Sequence, residues 1–108
     1  MNKNQIYDTN LSKYFLYIQN WNETIATKIA KQEGIKLCAI HWDIIYFVRI
    51  FYLEYKMIPK VRTIINIIAK KYGPEKGNSR YLIKLFPKKS VIQQIAKISG
   101  LPKPKNCL

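Results

Sequence analysis

A mainly helical domain, small α+β in class, is what this sequence predicts, as a five-helix bundle with a helix-turn-helix-like core, a short N-terminal β-hairpin and a flexible C-terminal arm. Three observations predict it. Apolar residues recur at helical spacing in successive blocks from residue 25 to residue 98. Capping and stop residues punctuate those blocks. The final nine residues, "GLPKPKNCL", hold two prolines and cannot continue a helix. A chain of 108 residues, 48% of them hydrophobic, has room for one modest core and enough apolar surface to fold. The expected division is residues 1–99 as a helical domain with its hairpin, and residues 100–108 as a mobile arm.

In chain order, "QIYDTNLSKYFLYI" places the turn residues Asp8, Thr9 and Asn10 between two short runs, which reads as a hairpin covering one side of a helical body. Asn20 with Glu23 three residues on resembles a capping box for a first helix, whose stripe is Ile25, Ala26, Ile29 and Ala30 and whose stop is Gly34. A second helix spans Ala39 to Tyr55. Its broad apolar arc suggests a central element packed on several sides, interrupted by Arg49 and Glu54. That run is shorter than the roughly 20 apolar residues a bilayer requires, so it reads as a core helix. Pro59 leads into a third helix, about Lys60 to Tyr72, ended by Gly73-Pro74. Asn78 or Ser79 can cap a fourth, "RYLIKLF", and Ser90 with Gln93 starts a fifth that ends at Gly100.

The formal net charge of +13 invites a nucleic-acid reading. However, 16 lysines against 3 arginines, beside 18 isoleucines, is also what A+T-rich codon usage produces. Arginine, not lysine, is the usual choice for bidentate phosphate contacts. An acidic protein partner fits the charge equally well. The third helix exposes Lys60, Arg62, Thr63, Asn66 and Lys70 and is the better candidate for a nucleic-acid reader, so a basic, helix-turn-helix-like DNA- or RNA-binding regulator is the alternative reading.

Two cysteines and one histidine are too few for a zinc site, and no metal or cofactor is expected. Cys38 reads as a small buried hydrophobe, and His41, beside Trp42 at a helix start, as a structural polar residue. Cys107 is different. From Gly100 it lies seven residues out, about 23 Å at about 3.3 Å per residue. Pro102 and Pro104 bias the tether toward polyproline II, which reduces the entropy lost when a partner's pocket takes up the arm. Lys103 and Lys105 favour the thiolate; the nearby α-carboxylate opposes it. A thiolate so placed can accept a sulfane sulfur and give it up again, with no base or metal on its own chain. Arg80 and Lys84, four apart on the fourth helix, together with Lys88, could form a basic face beside the arm.

Four blocks carry a family likeness. "EGIKLCAIHWDIIYFVRIFYLEY" at 33–55, "KKYGPEKGNSR" at 70–80, "GNSRYLIKLFPK" at 77–88 and "KISGLPKPKNCL" at 97–108 resemble the TusE/DsrC family of sulfur-relay proteins. The resemblance implies the mainly helical fold, the hairpin and the mobile arm. It implies that Cys107 carries the persulfide. The branch associated with sulfite reductase has a second arm cysteine eleven positions earlier. Here that position is Ala96, a departure that favours the TusE-like branch. For that branch the resemblance implies a cytoplasmic sulfurtransferase that takes sulfur from a TusBCD-like complex, at TusD. It delivers the sulfur toward an MnmA-like thiolase acting on wobble uridine of tRNA. No membrane partner is implied.

Overall fold

The computed structural model describes residues 20–88 and 90–102. Among them are five α-helices and no strand: α1 Glu23–Gln32, α2 Ala39–Tyr55, α3 Val61–Tyr72, α4 Ser79–Leu85 and α5 Val91–Ile98. The expected N-terminal hairpin lies outside the described residues. Each expected helix is present within one or two residues of its expected bounds. The first helix starts differently, because Asn22, not Asn20, is its cap: the Asn22 side chain accepts from the Ile25 N–H at 2.9 Å. Ser90 caps α5 in the same way through the Gln93 N–H.

Asn78 is the cap of α4, and it does more than cap. Its Oδ1 accepts from the Tyr81 N–H at 2.8 Å, while its amide nitrogen donates to the carbonyls of Pro74 and Glu75. One side chain thus ties the preceding turn to the helix it starts. Gly77 makes the turn possible in a second way, since a Cβ there would collide with the backbone of Ala69 on α3. Replacing Asn78 by Ala is expected to lower unfolding free energy by about 1–2 kcal/mol, read as a shift in urea midpoint with unchanged slope.

The core collects at the crossing of α1, α2 and α5, with α3 against α2. Ala26 and Ala30 are fully buried, and their small side chains let α1 approach α5 closely. Ile44, Ile45 and Val48 of α2, Ile64 of α3, Phe86 after α4, and Ile95 and Ile98 of α5 fill the centre. α2 is central and packs against α3 and α5, as its broad apolar arc predicts, and it keeps one open face: Ile50 is 63% exposed and Leu53 49%. Those two, with Tyr46, lie on the face opposite Ile44, Ile45 and Val48.

Polar ties hold the helices in register. Glu33, just past α1, accepts from Gln94 at 3.1 Å and Lys97 at 2.9 Å, both on α5, and pairs with Lys88 at 3.6 Å. The Lys97 and Gln94 hydrogen bonds hold its carboxyl below the usual range, against a smaller opposing effect of burial. Asp43 on α2 accepts from Tyr72 and Lys71 of α3, and the Tyr72 hydroxyl is the larger cause of its lowered pKa.

Among the described residues, no helix is long and apolar enough to cross a membrane.

Candidate functional site

The expected site residues divide in two. Cys107, Lys103 and Lys105 lie outside the described residues. The described chain ends at the root from which they depart, and that root is firmly built.

Four contacts fix it. The Trp21 Nε1–H donates to the Ile98 carbonyl at 2.8 Å. Arg49 of α2 donates through an Nη to the Ser99 carbonyl at 2.6 Å. The Leu101 N–H donates to the Ala96 carbonyl at 2.9 Å, and the Leu101 side chain is buried. Gly100 takes φ +72°, a left-handed conformation that ends α5, and packs so tightly on Trp21 that a Cβ would strike the indole. Arg49 completes the arrangement by stacking over the Trp21 ring, with Cζ 3.8 Å from the ring centroid. The orphan carbonyls at the end of α5 are thereby satisfied by side chains from the segment just before α1 and from the middle of α2.

Arg49 is 9% exposed, and desolvation lowers its pKa from the ordinary guanidinium value. A guanidinium stays charged in spite of such burial, so this is a buried cation with its charge directed at a helix C-terminus, where the macrodipole is negative. The sequence carried one sign of it: an arginine in the middle of the most apolar stretch of the chain. Neither Arg49 nor Trp21 was among the expected site residues.

Arg80 and Lys84 are brought together as the i, i+4 spacing requires. Both are exposed and line a groove of about 490 Å³ with Glu75, Asn78, Ser79 and Tyr81. Lys88 does not belong to this wall, because its ammonium pairs with Glu33. Glu75 reduces the positive character of the groove.

Cys38 corrects an expectation. It is exposed, not buried. The reason is its position: it is the cap residue of α2, in extended backbone, outside the helical stripe that turns inward. His41, by contrast, has the structural role expected. Its Nδ1 accepts from the Cys38 N–H at 3.0 Å, which places the ring proton on Nε2, and Nε2–H donates to the Leu85 carbonyl at 2.8 Å. The Cys38 sulfur is 3.3 Å from the same Nδ1. The lone pair of that nitrogen is already engaged by the backbone N–H, so His41 is poorly placed to act as a base toward the thiol. Phe86 packs edge-on against the imidazole at 5.1 Å.

His41 also gives the fold a pH dependence. Burial lowers its pKa from 6.5, and the hydrogen bond to Leu85 offsets part of that. The depressed group contributes stability that is fully present above the unfolded value. That stability is lost as pH falls from 6.5 through the folded value, because the unfolded chain takes the proton more readily. Urea midpoints should therefore decline between about pH 7.5 and about pH 5.5, and His41→Gln should remove most of that slope. A flat wild-type profile would refute the assignment.

The described residues thus form a helical body whose side-chain and backbone contacts converge on the end of α5. The chain belongs to the DsrC-like family: the family model "DsrC like protein" matches residues 1–108. It is 49% identical over 100 residues to "Sulfurtransferase TusE" of Sodalis glossinidius, covering 93% of this chain and 92% of that one. It is 48% identical over 101 residues to "Sulfurtransferase TusE homolog" of Haemophilus influenzae, covering 94% and 92%. Among solved structures, the fold resembles the NMR structure of Allochromatium vinosum DsrC, with TM-score 0.70, 43% identity and coverage of 84% of this chain and 80% of that one. It also resembles the crystal structure of the oxidized gamma-subunit of the dissimilatory sulfite reductase (DsrC) from Archaeoglobus fulgidus, with TM-score 0.72, 32% identity and coverage of 83% and 82%.

Proposed function

We propose that this protein is a sulfurtransferase of the carrier type, with Cys107 as the residue that holds the sulfur. The observation that carries the reading is near-full-length similarity to proteins named sulfurtransferase TusE, joined to a penultimate cysteine beyond a pinned root. In the step, the Cys107 thiolate attacks the terminal sulfur of a donor persulfide. A new S–S bond forms at Cys107, the donor S–S bond breaks, and the donor cysteine leaves as a thiolate. Thiolate and persulfide exchange places with no outside oxidant or reductant. The donor is a TusD-like subunit of a TusBCD-like complex, and the acceptor an MnmA-like thiolase that modifies the tRNA wobble uridine. Lys103 and Lys105 favour the thiolate by charge, and Arg80 and Lys84 offer an acidic partner a docking face. The chain is a protein-borne intermediate of this relay in the cytoplasm. Ala96, where the other branch has its second cysteine, leaves Cys107 without an arm partner for a disulfide, which supports carriage of sulfur over a redox cycle.

Intact mass after incubation with persulfide-loaded donor complex tests the reading. A gain of one sulfur atom is expected, and no gain from an active donor would overturn it. The regulator reading is tested by titrating duplex DNA and tRNA against salt. Weak, steeply salt-dependent binding reflects net charge alone; sequence-selective binding that survives physiological salt and deletion of residues 100–108 would favour the regulator.

A further inference from the structure

We infer that Trp21 and Arg49 form a clamp that sets the pivot and exit direction of the Cys107 segment, and are therefore positioning residues for sulfur transfer between proteins. The inference rests on the carrier reading but adds to it, because a carrier needs only a reachable thiol, whereas this root is held far more tightly than a tether requires.

The geometry gives each residue a separate hold. Trp21 grips the Ile98 carbonyl, and Arg49 grips the Ser99 carbonyl. The guanidinium lies on the indole, so either hold supports the other. Gly100 fits against the indole without a side chain, and Leu101 is buried below. Four successive residues, from Ile98 to Leu101, are thus fixed in place, three by Trp21 or Arg49 and the last by its own burial. The Ser99 hydroxyl, fully buried, has no hydrogen-bond partner among the described residues, and the hydrogen bond described at Ser99 from Arg49 is through its carbonyl.

The consequence is mechanical. Leu101, buried and bonded through its N–H to the Ala96 carbonyl, lies six residues before Cys107, so chain length alone keeps the thiol within about 20 Å of that fixed point at about 3.3 Å per residue. A donor protein that docks on the helical body finds the thiol within that distance of the end of α5. If the root were loose, the same thiol would search a larger volume, with the pivot displaced by several ångströms. Misplacement on the scale of 1 Å can cost about a hundredfold in a reaction that depends on alignment. A small, freely diffusing donor needs no alignment with the body and would not register the change.

That difference is the test. Sulfur uptake by the full chain is followed by intact mass with two donors, inorganic polysulfide and persulfide-loaded TusBCD-like complex. Three variants are compared with wild type: Trp21→Phe, which keeps an aromatic ring and loses the Nε1–H; Arg49→Lys, which keeps the charge and loses the planar stack; and Gly100→Ala, which drives a methyl into the indole. Circular dichroism confirms the fold of each. The expected result is uptake from polysulfide at the wild-type rate and a loss of about tenfold to a hundredfold from the protein donor in at least Trp21→Phe and Gly100→Ala. Arg49→Lys is expected to fall between these and wild type. Wild-type rates from both donors in all folded variants would overturn the clamp, as would equal losses from both donors. Failure of wild type to take sulfur from either donor would instead overturn the carrier reading itself. Should Gly100→Ala not fold, Trp21→Phe decides.

Discussion

Cys107→Ser is expected to take up no sulfur from the donor complex, and to reduce tRNA thiolation in a reconstituted relay to the level seen with the chain left out. Serine keeps the size and the hydrogen bonding of the residue. Its hydroxyl, however, is a far weaker nucleophile toward sulfur and forms no persulfide. Cys38→Ser is the matched control. Cys38 is exposed, so an accessible thiol alone does not mark the carrier residue. The distinction lies in the chain: Cys38 is fixed at the start of α2 with its backbone N–H bound to His41, whereas Cys107 follows Leu101 by six residues across a stretch with two prolines. Cys38→Ser should therefore retain sulfur uptake. Uptake lost in Cys38→Ser and kept in Cys107→Ser would reverse the assignment.

The second large effect is on stability. Phe86 is fully buried after the end of α4, edge-on to His41, where α4 meets the central helix. Phe86→Ala removes an aromatic ring from a site that cannot readily collapse, since the His41 ring is held by hydrogen bonds at both of its nitrogens. Such truncations cost about 3–5 kcal/mol, out of a total of about 5–15 kcal/mol for a domain of this kind. The melting temperature should fall by more than about 10 °C. A loss below about 1 kcal/mol, the ordinary cost of a point substitution, would mean that the ring is not the link between α4 and α2 that the packing shows.

How far the sequence was legible depends on the range of the interactions involved. Helices were legible because their signals are local. Ser90 and Asn78 cap within three residues, and the stripes of α1, α3 and α5 repeat within a turn. Even the error at the start of α1 was local: Asn20 and Asn22 are two residues apart, both can cap, and only the backbone geometry chose between them. Cys38 was misread because burial was inferred from residue type, while its exposure follows from its place one step before the inward-turning stripe begins. The clamp could not be read. Trp21 and Ile98 are 77 residues apart and Arg49 and Ser99 are 50 apart, and both acceptors are backbone carbonyls, which carry no sequence signature. The same holds for Glu33, whose partners Gln94 and Lys97 lie 61 and 64 residues away, and which drew Lys88 away from the basic face expected with Arg80 and Lys84. What the sequence did show was the anomaly at Arg49, a charge inside an apolar run, without the partner that explains it.

The most direct measurement of the central claim locates the sulfur. Wild-type chain loaded by the donor complex is digested after lysine under non-reducing conditions, and its fragments are weighed. The added sulfur atom is predicted on the terminal fragment Asn106–Cys107–Leu108, with the fragment bearing Cys38 unchanged. Added sulfur on the Cys38 fragment, with the terminal fragment at its unmodified mass, would contradict the account.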